Sequence, residues 1–178
     1  MIRAFLALAL SPEVTARLDT LALALPGARV VAARNRHVTL RFLGEIDEAT
    51  AEDLHERLLG LDGAPFDLDL DGFGLFGGAT PHTLWAGVVP SPALERLAAK
   101  TERLAVAAGL PPEGRKFTPH ITLARLNRTP MERISMFLAE NSPFHAGPMP
   151  VRAVTLFRSH LSRNGAEYEV LADYPLNG

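Results

Sequence analysis

The 178 residues are enough for one domain with a substantial core, and 47% apolar with 21% charged residues is the composition of an ordinary soluble globular chain. There is no cysteine, which excludes disulfides, thiolate metal sites and a cysteine nucleophile. The net charge of −2 carries no global basic field of the kind that holds bulk nucleic acid.

The predicted elements follow in chain order. Arg3 to Leu10 is an apolar strand; the run Ile2 to Leu10 is too short to span a bilayer and is followed by Ser11-Pro12-Glu13 rather than a small-residue cleavage site. The chain therefore reads as cytoplasmic, with no membrane segment. Ser11 caps a helix with Pro12 in its first turn, and that helix is expected to reach about Leu25 before Pro26-Gly27. Val30 to Ala33 is a short strand. A strand from His37 to Leu43 stops at Gly44. Asp47 caps a helix over Glu48 to Leu61. Phe66 to Leu70 alternates apolar and acidic residues, as a half-exposed antiparallel strand does. The glycine-rich run Gly72 to Gly78 bends or interrupts it. Thr83 to Val89 is a strand, and Ser91-Pro92 opens a helix to about Ala108. Thr118 to Leu126 is a strand, and Thr129-Pro130 starts a helix to about Glu140. An extended segment begins at Phe144. Strands over Val151 to Leu161 and Glu167 to Ala172 flank the turn Arg163-Asn164-Gly165.

Two stretches in this order match each other. His37-Val38-Thr39-Leu40 and His120-Ile121-Thr122-Leu123 lie 83 residues apart. Ser11-Pro12 and Ser91-Pro92 lie 80 apart, and Leu75-Phe76 and Leu156-Phe157 lie 81 apart. The chain reads as a duplication, one domain over 1–178 built of halves of about 1–80 and 81–178. Each half runs strand, helix, motif strand, helix, strand, strand. That is an α+β arrangement of mainly antiparallel sheet with outer helices.

In a strand, residues i and i+2 share a face. Each motif thus sets an imidazole beside a hydroxyl, with Val38, Leu40, Ile121 and Leu123 packed on the other side. A lone His-x-Thr on a strand is ordinarily a hydrogen-bonded structural histidine. Two copies half a chain apart are better explained as a duplicated site, in which one imidazole acts as acid and the other as base. Of the 18 basic residues, 16 are arginine. Arg34, Arg36 and Arg41 flank the first motif, and Arg115, Lys116, Arg125 and Arg128 the second. A small anion between the motifs fits that clustering.

The runs His37-Val-Thr-Leu-Arg-Phe-Leu-Gly-Glu45 and Phe117-Thr-Pro-His-Ile-Thr-Leu-Ala-Arg125 resemble the two signatures of the 2H phosphoesterase superfamily. They are most similar to its bacterial and archaeal RNA 2′,3′-cyclic phosphodiesterases, formerly described as 2′-5′ RNA ligases. The resemblance covers the whole chain. It implies a two-lobed, pseudo-symmetric fold with the motif strands facing a central groove. It implies hydrolysis of a terminal RNA 2′,3′-cyclic phosphate to a 2′-phosphomonoester, with no metal and no cofactor. It makes His37 the proton donor to the leaving 3′ oxygen and His120 the proton acceptor from water. Thr39 and Thr122 would donate to the non-bridging phosphate oxygens, and Arg125 would bind the phosphate. The implied partner is RNA with cyclic-phosphate ends, tRNA fragments among them, met by a monomer.

Strict strand alternation puts Arg125, five residues after His120, on the wrong face unless the strand bends or ends near Ala124. Arg41 has the parity of His37 and stands as the reserve phosphate ligand. Core packing is the commoner use of rings such as Phe42 and Phe76, and stacking on a base is the functional alternative for each. The rival readings are a phosphodiesterase of the same superfamily acting on cyclic nucleotides, on ADP-ribose cyclic phosphate or on 2′-5′ linkages, and a non-catalytic RNA-binding module. A metal site lacks ligands at usable spacing, and a serine hydrolase lacks its Gly-x-Ser-x-Gly elbow.

Overall fold

The computed structural model describes residues Met1–Gly178. Strand β1, Ile2–Ala9, has five consecutive buried residues, as an apolar run in a central strand does. Helix α1, Pro12–Asp19, starts at its sequence signal: the Ser11 hydroxyl accepts from the Val14 amide. It stops six residues short of the expected Leu25. Leu21-Ala22-Leu23-Ala24-Leu25 alternates with period two rather than 3.6, with Leu21 and Leu23 buried, and Pro26 biases its predecessor toward extended backbone.

Strand β2, Ala28–Val30, and a 3-10 turn over Ala33–Asn35 lead into β3, His37–Ile46. Helix α2, Glu48–Leu59, is capped by the Asp47 carboxylate, which accepts from the Thr50 amide. Strand β4, Phe66–Phe76, runs on into the glycine-rich segment, which bends it rather than interrupting it. It shifts register against its neighbour between Leu70 and Phe73, where Gly72 takes a φ of +67°. This is the bulge that a glycine inside a strand signals. Strand β5 is Thr83–Val88, helix α3 Pro92–Ala107 and strand β6 His120–Leu126. Helix α4, Met131–Asn141, and strands β7, His145–Val151, β8, Ala153–Ser162, and β9, Gly165–Pro175, complete the chain. No helix is long and apolar enough to cross a membrane.

All nine strands join one sheet in the order β7-β4-β5-β6-β3-β1-β8-β9, with β2 beside β6. Every pairing is antiparallel. The order is symmetric about the β6–β3 contact, which is where the two motif strands meet. The lobes are not the sequence halves, however. Strand β4 of the first half pairs with β5 and β7 of the second, while β8 of the second half pairs with β1 of the first. The halves have exchanged strands across the pseudo-twofold.

The helices cover one face of this sheet: α3 packs on β3, α1 on β7, and α2 on α3. That face carries Val38, Leu40, Ile121 and Leu123, members of one continuous apolar cluster that draws on both halves. Val38 and Ile121 are completely buried. Burying each such side chain stabilises by about 1.5–3 kcal/mol, which anchors the motif strands from behind. The other face of β3 and β6 is left to the polar residues.

Candidate active site

Val38 lies opposite Ile121 in the antiparallel β3–β6 pair. Counting outward from this pair sets His37 opposite Thr122 and Thr39 opposite His120. All four project away from the helices. The imidazoles occupy one diagonal of this patch and the hydroxyls the other. Diagonal neighbours on an antiparallel pair lie about 7–8 Å apart, a span that one phosphate group fills.

Each imidazole is oriented by the carbonyl two residues before it. His37 Nδ1 is 2.8 Å from the Asn35 carbonyl oxygen, and His120 Nδ1 is 2.6 Å from that of Thr118. A carbonyl only accepts, so both Nδ1 atoms carry hydrogen. The Nε2 atoms are left as the working nitrogens, bare when the ring is neutral and protonated when it is charged. Thr39 Oγ1 sits 3.0 Å from His37 Nε2.

Aromatic rings hold both imidazoles from behind. His37 packs against Phe5 at 4.7 Å and meets Tyr168 edge-on at 5.3 Å between centroids, with Phe157 at 6.1 Å. His120 meets Phe76 edge-on at 4.9 Å and Trp85 at 5.7 Å. Gly74 makes room for that indole, since a Cβ there would fall 2.1 Å from a Trp85 ring carbon. Burial disfavours the charged ring and lowers the pKa of both histidines, that of His37 to about 4. The Asn35 and Thr118 carbonyls oppose the drop, and the positive charge of Arg125 adds to it at both rings.

A bulge in each motif strand resolves the problem of parity. In β6, Thr122 pairs with Trp85 but Ala124 pairs with Leu84, so Leu123 is an extra residue. In β3, Thr39 pairs with Ala7 but Arg41 pairs with Leu6, so Leu40 is extra. Leu123 and Ala124 are consecutive buried residues, as are Leu40 and Arg41. A bulge shifts every later side chain to the other face. The fifth residue after each histidine therefore returns to the histidine face: Arg125 in one lobe and Phe42 in the other. Arg125 Nη1 donates to Thr83 Oγ1 at 3.0 Å. Phe42 is 52% exposed, beside Phe5 at 5.9 Å.

The same bulge removes Arg41 from consideration as a phosphate ligand. Its guanidinium is buried, ion-paired with Glu102, and donates to the carbonyls of Phe42 and Pro111. Arg36 is likewise occupied, by Asp19 at 2.6 Å. A residue that the sequence did not single out takes a place here instead. Arg29 of β2 is the cross-strand partner of Arg125, and both are exposed. Like charges directly opposed are unfavourable until an anion joins them. Only the short strand β2, an addition without a counterpart in the second half, could have signalled this. The remaining histidines bond elsewhere: His55 with Tyr174, His82 with Thr83, His145 with Asp71 and His160 with Glu169. No group of three or more histidine or carboxylate side chains is placed to hold a metal ion.

A sequence profile described as the 2′-5′ RNA ligase superfamily matches residues 9–163. The chain belongs to the 2′-5′ RNA ligase superfamily. Members of this superfamily named RNA 2′,3′-cyclic phosphodiesterase include one from Thermus thermophilus, 34% identical over 99% of this chain and 91% of its own. Another, from Aeropyrum pernix, is 33% identical over 80% of this chain and 83% of its own. Among solved structures, TT0787 of Thermus thermophilus superposes with a TM-score of 0.81 at 31% identity, covering 99% of each chain. LigT of E. coli, solved with 3′-AMP, does so with a TM-score of 0.79 at 27% identity, again covering 99% of each.

Proposed function

We propose that the groove hydrolyses the 2′,3′-cyclic phosphate at an RNA 3′ end to a 2′-phosphomonoester. The observation that carries this reading is the pair of imidazoles, each held through Nδ1, side by side on the β3–β6 patch and both within the field of Arg125. The relatives named RNA 2′,3′-cyclic phosphodiesterase support the substrate. In the step itself, His120 Nε2 takes a proton from water as the water oxygen bonds to phosphorus. The bond from phosphorus to the 3′ oxygen breaks, and His37 Nε2 gives that oxygen its proton. Thr39 and Thr122 donate to the non-bridging oxygens. Arg125, with Arg29 beside it, balances their charge. Phe42 offers an exposed ring to the terminal base.

Both imidazoles are neutral at pH 7 in the free enzyme, because burial lowers their pKa. A bound phosphate anion raises both. The pH optimum of kcat, which reports the complex, therefore lies above that of kcat/KM, which reports the free enzyme. Since the groove is complete within one chain, the reading takes a monomer, working in the cytoplasm on RNA-processing products such as tRNA fragments.

The test is a panel of RNA oligonucleotides with cyclic-phosphate ends, cyclic mononucleotides and 2′-5′ linked oligonucleotides, with and without excess chelator. Fastest turnover of cyclic-phosphate RNA to a 2′-phosphate, unaffected by chelator, is the expected result. A 3′-phosphate product would reverse the leaving group, and loss on chelation restored by one divalent ion would move the chemistry to metal-assisted hydrolysis.

A further inference from the structure

The two histidines sit in equivalent backbone settings, yet only one is strapped. Strand β8 pairs with β1 only as far as Arg158. Beyond that point Ser159–Ser162 and Gly165–Tyr168 pair only with each other, forming a free two-stranded arm. The arm folds back over His37. Tyr168 meets the imidazole edge-on, at an interplanar angle of 76°. Asn35 Nδ2 donates to the Ala166 carbonyl at 2.8 Å. Arg34 and Glu167 approach to 3.9 Å beside it.

Asn35 is thus bound twice. Its side chain holds the arm, and its carbonyl holds His37 Nδ1. Thr118 makes the matching carbonyl contact to His120, but His120 is packed only by Phe76 and Trp85 of the neighbouring strands β4 and β5. We propose that Asn35 is a positioning residue: latched to the arm, it fixes the ring of His37 so that Nε2 aims at the leaving oxygen, and it thereby sets His37 apart from its pseudo-symmetric twin as the dedicated proton donor. The inference rests on the reading of His37 as donor. A donor must meet an oxygen whose position is fixed by the substrate, and a displacement of about 1 Å costs on the order of a hundredfold in rate.

The test uses the full-length protein with Asn35→Leu, which keeps the shape and removes the amide, and with Asn35→Ala. Each is assayed beside native enzyme and His37→Ala on two substrates. One is an RNA oligonucleotide with a terminal 2′,3′-cyclic phosphate, and the other carries sulfur in place of the bridging 3′ oxygen. Sulfur leaves as a thiolate and needs no proton. On the oxygen substrate, kcat of the Asn35 variants should fall about tenfold to a hundredfold with KM little changed. On the sulfur substrate they should return to nearly native rates, as should His37→Ala. A variant that merely loosens the fold would be slow on both, which overturns the inference while leaving the donor role intact through His37→Ala. Native rates on both substrates overturn it equally. If His37→Ala itself is not rescued by sulfur, the donor role fails and the inference fails with it. Should Asn35→Ala melt early, Asn35→Leu carries the comparison.

Discussion

His37 couples the site to the stability of the fold. Above pH 6.5 its imidazole is neutral in both the folded and the unfolded chain, and pH has no effect through it. Between 6.5 and about 4 the unfolded chain binds a proton that the folded one excludes. Stability contributed by the neutral, buried ring is therefore lost as pH falls through that window. At 1.36 kcal/mol per unit, the full interval corresponds to about 3 kcal/mol. His37→Asn should flatten the profile of unfolding free energy between pH 6.5 and 4, measured by urea denaturation, while the profiles converge in shape above 6.5. If the variant keeps the native slope, the ring is not the titrating group. The sequence displayed this imidazole and its hydroxyl neighbour, because both follow from a period of two. It did not display the burial. Phe157 and Tyr168 reach His37 from more than a hundred residues further along the chain, and no local pattern reports such a meeting.

At the scale of single strands, alternation held only as far as the first bulge. It placed Thr39 and Thr122 beside their histidines, because the ladder is regular there. It misplaced everything after Leu40 and Leu123. An extra residue in a strand leaves no mark on composition, but two consecutive buried residues, Leu40-Arg41 and Leu123-Ala124, are its trace in the structure. Helix starts were legible because their capping chemistry is local, as at Ser11, Asp47 and Ser91. The end of α1 was missed because its leucines change period without a glycine to announce it. The bulges make opposite predictions for two arginines. Arg125→Met removes a charged donor to phosphate and should cost about 1.5–3 kcal/mol in kcat/KM, with the melting temperature nearly native. Arg41→Met strands Glu102 and should instead lower stability, toward the lower end of the about 3–5 kcal/mol of a broken buried pair because Glu102 keeps some solvent. It should leave kcat/KM much closer to native. Parallel thermal melts and steady-state kinetics on both variants decide it, and a reversed pattern would put Arg41 back in the site.

Across the whole molecule, the offsets of 80 to 83 residues announced a duplication but not its exchange of strands. Repeat spacing says which segments are alike, and it is silent on which of two equivalent neighbours each one chooses. That choice makes the halves interdependent. A fragment of residues 1–80 holds β1 without β8 and β4 without β5 or β7, and a fragment of 81–178 holds β7 without β4 and β8 without β1. Each alone should show little ordered far-ultraviolet circular dichroism. Equimolar mixing should restore a folded spectrum and hydrolytic activity, whereas two independently folded fragments would contradict the topology. The exchange also bears on how the chain emerges from the ribosome. The half of the sheet made of β4, β5, β6 and β7 is complete once residue 151 is out. Strand β1, buried on both faces when finished, is made long before its outer neighbour β8, which begins only at Ala153. At about 5–20 residues per second, that is a wait on the order of ten seconds. During synthesis, then, a strand whose five central residues end up buried is left half-paired until β8 emerges, and the nascent chain stays adhesive along that edge until just before the arm over His37 can form.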